Sequence, residues 1–286
     1  MAQIDNITLL SPAISDLGTI TGSSEALGAG AANLLKLQPT ILWSTLSGVL
    51  SANVTLDFGA PEKVQQIFLG YHNGSVDGTI RIRAASLSAN LVSTPGFDSG
   101  PLPARSFQDF FTFLWGTAGA DPSLFSAARN HFLLHLSAAQ EFRHWRIDFD
   151  DPSNPDSLLR AGRLILGVPW QSLRNPSTPI TIGHIDSSEL SQTISRRTII
   201  NEKPKARVLD FQFRLLEEDD FRNNLDELIR LRGGAKDILA VLRPTAANKT
   251  RQEIFYGLMP SAPATITTAL KNRTLYTQKF GIRELL

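Results

Sequence analysis

Apolar and polar side chains alternate along the chain in runs of seven to nine residues: ANVTLDF (52–58), KVQQIFLGY (63–71), GTIRIRAA (78–85), HFLLHLS (131–137), HWRIDFD (144–150) and RLILGVP (163–169). In TIRIRA, Ile80 and Ile82 point one way and Arg81 and Arg83 the other, the period-two mark of a half-buried strand. Turn chemistry separates the runs, as in FGAPE (58–62), NGSVDG (73–78), STPGFDSGP (93–101) and DDPSNPD (150–156). Strands at this density without intervening helices predict a β-sandwich or jelly roll.

The stretch PWQSLRNPSTP (169–179) carries three prolines and marks a domain boundary, giving domains at 1–172 and 173–286. Beyond it the alternation resumes in PITIGHID (179–186), SQTISRRTII (191–200) and KARVLDFQFRLL (205–216). One helix is predicted, EDDFRNNLDELIRLRGG (218–234). Phe221, Leu225, Leu228 and Ile229 share a face, acids crowd its first turn, and Gly233–Gly234 ends it. Its other face carries Arg222, Asp226, Glu227 and Arg230, which suits either a polar subunit contact or a solvated surface. Further strands follow at 237–244, 253–259, 264–270 and 274–285. The expected fold is therefore mainly β, an N-terminal sandwich joined to a C-terminal β-barrel or sandwich with one packed helix.

Composition adds constraints rather than a function. The 286 residues suffice for two cores. A formal charge of +1 invites neither nucleic acid nor an acidic membrane. The halves differ, with 10 basic and 14 acidic residues before 173 and 18 and 13 after it. With no cysteine, disulfides, thiolate zinc sites and cysteine nucleophiles are excluded together. No apolar run approaches the roughly 18–20 residues of a membrane span. The opening MAQIDNITLLSPAISD lacks a basic start, so a protein made and used without export is expected.

Catalytic and metal motifs are sparse. HFLLH places His131 and His135 four apart, but Phe132 stands where a metalloprotease has Glu. DFDDPSNPD (148–156) has the acids of a calcium loop without the Gly and Glu of an EF-hand. GAGAAN (28–33) lacks the third Gly and the flanking elements of a dinucleotide loop. No catalytic residue, cofactor or metal is expected, and the chain does not read as an enzyme. Trp43, Trp145 and Trp170 lie in or beside patterned runs, whereas Trp115, in FLWGTAG, is the least constrained candidate for sugar stacking. The elbow after LGY offers His72, Asn73 and Asp77 as further candidate glycan contacts, though Asn73 and Gly74 are first of all turn residues.

The order NLLKLQPTILWS (33–44), ANVTLDFGAPEKVQQIFLGYHN (52–73), GTIRIRAAS (78–86) and HWRIDFDDPSNPDSLLRAGRLILG (144–167) is similar to the galactose-binding-like, discoidin-type jelly roll. The block VLDFQFRLLEEDDFRNNLDELIRLRGGAKDILAVLRP (208–244) with EIFYGLM (253–259) resembles tail-tip proteins of long-tailed bacteriophages. The second resemblance implies a structural role at a phage tail tip or baseplate. It further implies a homo-oligomeric ring, with Arg222, Asp226 and Arg230 as assembly contacts and the tail tube, hub or baseplate proteins as partners. The location would be the virion, after assembly in the host cytoplasm, and the jelly roll would contact host cell-surface polysaccharide. The alternative is a carbohydrate-binding module or adhesin with no ring-forming role.

Overall fold

The chain divides into two compact units, one of Ala13–Pro169 with Pro244–Ile254, the other of Met1–Pro12, Trp170–Arg243 and Phe255–Leu286. The computed structural model describes residues 6–105, 130–172, 174–192, 198–201, 203, 205–232, 234–244, 253–259, 265–270 and 273–286. Both units are β-sheet structures.

In the first unit the long strands Ser51–His72 and Asn130–Asp150 pair antiparallel along most of their length. The pairing slips between Asp57 and Glu62, where residues 59–62 are exposed and Gly59 takes φ 78°. The turn expected at 58–62 is thus a bulge within a continuous strand, and bulges bend the strand that carries them. Residues 51–57 and 144–150 are flanked by Thr19–Gly22 on one side and by Thr79–Ala85 and Phe97–Pro103 on the other. Past the bulge the neighbour of Ser51–His72 becomes Arg163–Gly167.

Val54, Ile82, Trp145 and Ile147 from the first part share one core with Ile67, Leu69, Phe132 and Leu164 from the second, so the two parts form a sandwich-like arrangement. The void among Leu34, Trp43, Val54, Leu69 and Phe149 is about 10 Å³. That is at or below what one water needs, so this void takes no ligand.

The second unit holds an eight-stranded sheet. Its order is Trp170–Gln171, Thr8–Leu10, Asp237–Val241, Ile254–Leu258, Arg273–Glu284, Ala206–Leu216 and Ser177–Ile185, with Thr265–Leu270 also pairing Arg273–Glu284. Closure into a barrel needs the end strands to pair; among the described residues Trp170–Gln171 and Ser177–Ile185 stand as separate edges, so no closed barrel is seen and the barrel expectation gives way to an open sheet there. Thr8–Leu10 is a buried strand of this sheet that bonds to Trp170–Gln171 and Asp237–Val241.

The helix runs from Glu218 to Arg232, with a π-helical middle over Phe221–Asp226. Phe221, Leu225 and Leu228 enter the core with Leu216 and Phe280, and Phe221 stacks on Tyr276 at 4.3 Å. Leu225 is fully buried. Its replacement by Ala is expected to cost about 2–5 kcal/mol, because the cavity only partly collapses. A chemical denaturation curve measures this, and a loss below about 1 kcal/mol would contradict the packing described.

Candidate functional site

The loops at one end of the first unit are fastened by a network centred on the elbow. Ser51–His72 ends there, with Tyr71 at φ 60° where the ladder slips between Gly70 and His72. The Gly162 N–H donates to the Gly70 carbonyl, and the Asn73 N–H donates to the Arg160 carbonyl. These two bonds hold the elbow against the segment that follows residue 151.

Asn73 carries most of the fastening. Its Nδ2 donates to the Leu158 carbonyl at 2.8 Å, to Asp156 Oδ2 at 3.0 Å and to Asn154 Oδ1 at 3.3 Å, while its Oδ1 accepts from the Arg160 N–H at 2.8 Å. Asp151, fully buried, accepts from the Ser75 N–H at 2.7 Å, the Ser75 hydroxyl at 2.5 Å and Asn154 Nδ2 at 2.9 Å. A buried carboxylate is tolerable only with its lone pairs filled in this way. Ser157, at φ 56°, lies within the fastened segment. Two of the three non-glycine residues with positive φ among those described, Tyr71 and Ser157, therefore sit at this end. Such strain persists only where surrounding bonds over-determine it.

The sequence-derived candidates occupy different positions in this network. His72 is 3% exposed and sets its ring edge-on to Phe149 at 5.7 Å, behind the surface. Its Nδ1 accepts from the Gly74 N–H at 3.1 Å. Burial, helped by the positive charge of Arg105 and opposed by the Ala104 backbone, pushes its pKa down to about 3. Asn73 is partly exposed but spends its amide on the clasp. Asp77 is exposed on the elbow itself. Trp115 lies outside the described residues. The opening alternative, turn or ligand contact, thus has a structural part: the elbow is a turn that also anchors a second loop.

Pattern reading missed Asp156 and Arg160, which stand on the outer side of the clasp. Their side chains are 44% and 41% exposed, and Arg160 Nη2 lies 3.4 Å from Asp156 Oδ2. Oδ1 of Asp156 makes no hydrogen bond among the described residues, and neither do the side-chain N–H groups of Arg160. The half-buried Tyr71 lies between the two bonds that tie the elbow to this segment, its ring edge-on to His131 at 5.0 Å. The only sequence signal was an opposite-charge pair four apart in DSLLR, which has meaning on a helix but none inside a turn-rich run.

The remaining polar candidates are engaged elsewhere. Asp148 accepts from Arg83 and Arg146 on the outer face of the sheet. His131 is buried between Phe68 and Tyr71. No group of three or more His, Cys, Asp or Glu among the described residues is placed to hold a metal ion.

No family model matches the sequence, and no curated protein does. Among solved structures the chain is similar to chitosan-binding module 1 of a chitosanase/glucanase from Paenibacillus sp. IK-5, with 12% identity over 55% of this chain and 98% of that one and a TM-score of 0.39. It is also similar to the family 32 carbohydrate-binding module of NanJ from C. perfringens, solved with galactose, with 14% identity, 56% and 98% coverage and a TM-score of 0.37. A third is the lectin domain of lectinolysin complexed with Lewis B antigen, with 13% identity, 57% and 98% coverage and a TM-score of 0.37.

These structures are sugar-binding modules, not tail or baseplate proteins, and the tail-tip reading is corrected accordingly. With it go the ring, the tail-tube, hub and baseplate partners, and the virion location. The physical reason is that an amphipathic helix between strands specifies what it packs on, not which particle holds it. Of the helix positions expected as assembly contacts, Arg222 pairs with Glu218 at 2.9 Å and reaches the Tyr276 hydroxyl at 3.5 Å, while Asp226 and Arg230 are exposed.

Proposed function

We propose that the unit Ala13–Pro169 is a carbohydrate-binding module of the jelly-roll type, and that it binds glycans without catalysing a reaction. The observation that carries this reading is the Asp156–Arg160 couple, a partly exposed acceptor beside partly exposed donors on a clasp that is already rigid. Sugars offer hydroxyls that donate and accept at once, so they are recognised by fixed polar groups of both kinds beside an apolar or aromatic surface. Tyr71, a half-buried aromatic residue, lies on the elbow between the two backbone bonds that tie it to the segment carrying this couple. Rigidity matters because a flexible loop would lose ordering entropy on binding, whereas this one is ordered beforehand by the hydrogen bonds of Asn73 and Asp151.

A glycan array probed with the purified protein, followed by calorimetry on the best ligand, tests the proposal. Arg160→Ala is expected to weaken that binding at least tenfold with an unchanged circular-dichroism spectrum and melting temperature. Retention of no glycan, or undiminished binding by Arg160→Ala, would refute it.

A further inference from the structure

We infer that Arg83 and Arg146, on the outer face of the strands Thr79–Ala85 and Asn130–Asp150, hold a singly charged oxyanion, a carboxylate or a sulfate ester. This site uses none of the clasp residues and does not rest on the glycan-binding reading. Ile80, Ile82, Trp145 and Ile147 belong to the core, so Arg81, Arg83, Arg146 and Asp148, which alternate with them, face outward. Arg83 and Arg146 are direct cross-strand partners. Like charges in that position repel, and such breaches of a local rule are expected at functional sites.

One carboxylate ties the two arginines together. Asp148 accepts through Oδ2 from Nε and Nη2 of Arg83 at 3.0 and 2.6 Å, and through Oδ1 from Nε of Arg146 at 2.8 Å. Arg81 and Asp98 form a two-bond pair of their own and balance each other. Two guanidiniums against the Asp148 carboxylate leave a single positive charge. That charge keeps free donors: Nη1 of Arg83 and both Nη groups of Arg146 make no hydrogen bond among the described residues. Burial fixes Arg83, whose side chain is 9% exposed, while that of Arg146 is 22% exposed. The two Nη groups of Arg146 form the flat fork that takes two oxygens of one anion at once. Thr55 is the cross-strand partner of Arg146 on the other side, and its hydroxyl, unbonded among the described residues, is a further donor. A single negative charge balances this cluster, whereas a neutral group leaves it positive.

Sodium methyl sulfate and sodium acetate, titrated at constant ionic strength against sodium chloride, test this through the arginine Nε–H signals of proton–nitrogen NMR spectra. The wild-type protein is expected to show saturable shifts at both Arg83 and Arg146. Arg146→Gln removes the fork and leaves Arg83 bonded to Asp148; read at Arg83, it should weaken both anions about tenfold with an unchanged melting temperature. Methyl glucoside 6-sulfate beside methyl sulfate and unsulfated methyl glucoside then tells the source of the anion. Tighter binding of the sulfated sugar than of methyl sulfate marks a glycan-borne group, and equal binding marks a small free one. Shifts no larger than those in chloride, or undiminished binding by Arg146→Gln, would overturn the inference. Methyl sulfate and acetate carry no sugar, so either of those results leaves the glycan-binding reading standing.

Discussion

Asp16→Ala lowers the free energy of unfolding of the first unit by about 3 kcal/mol, since breaking a buried ion pair from one side removes the carboxylate that faces a buried guanidinium. Arg163 is 1% exposed on the strand Arg163–Gly167, and its guanidinium grips Asp16 with two hydrogen bonds of 2.7 and 2.8 Å. A further contact to the Leu34 carbonyl, at 3.5 Å, is too long to replace them. Asp16 offsets part of the desolvation of Arg163, and its own side chain, 33% exposed, loses less on burial. The double variant Asp16→Ala with Arg163→Met removes the buried charge along with the carboxylate. It should be more stable than the single variant, because apolar replacements of buried pairs are often neutral or stabilising. Urea unfolding followed by tryptophan fluorescence reads both, as Trp43 and Trp145 are buried in this unit. A double variant no more stable than Asp16→Ala would show that the pair is not what holds Arg163 in place.

Acid unfolds this unit along a slope to which His72 contributes measurably. Its pKa falls from 6.5 to about 3 on folding, because the ring is buried against Phe149 and near Arg105. The native state therefore keeps His72 neutral at pH values where the unfolded chain has already taken up a proton. Its contribution is fully present above pH 6.5 and disappears as the pH falls toward about 3. Between those limits it amounts to roughly 1.4 kcal/mol of lost stability per pH unit. Protonation would also remove the acceptor for the Gly74 N–H and put a charge at the base of the clasp. His72→Asn, whose side-chain oxygen can stand near the position of Nδ1, lowers stability at pH 7 through lost packing but flattens the dependence below pH 6. The carboxylates titrate in both proteins, so the difference between their curves isolates His72. Parallel curves for the two proteins from pH 7 to pH 4 would contradict the burial assigned to this ring.

Much of the architecture was written in local pattern. Period-two alternation at 52–58, 78–85 and 144–150 specified the strands and which of their side chains face inward, because adjacent residues on a strand point to opposite faces whatever the strand pairs with. The helix near 218–234 was equally legible, since its apolar spacing and terminal charges act within one or two turns. Its π-helical middle and its partner Tyr276 were not, as they depend on a sheet assembled from distant segments. The same limit explains Thr8–Leu10: three residues carry no usable period, and their place between Trp170–Gln171 and Asp237–Val241 is set by partners more than 150 residues away. It also explains the candidate site. Asn73 and Gly74 announced a turn because turn preference is a property of the local backbone. That Asn73 also holds residues 154–160, and so turns Asp156 and Arg160 outward as a couple, follows from hydrogen bonds spanning more than 80 residues of sequence, which only the folded chain brings within reach.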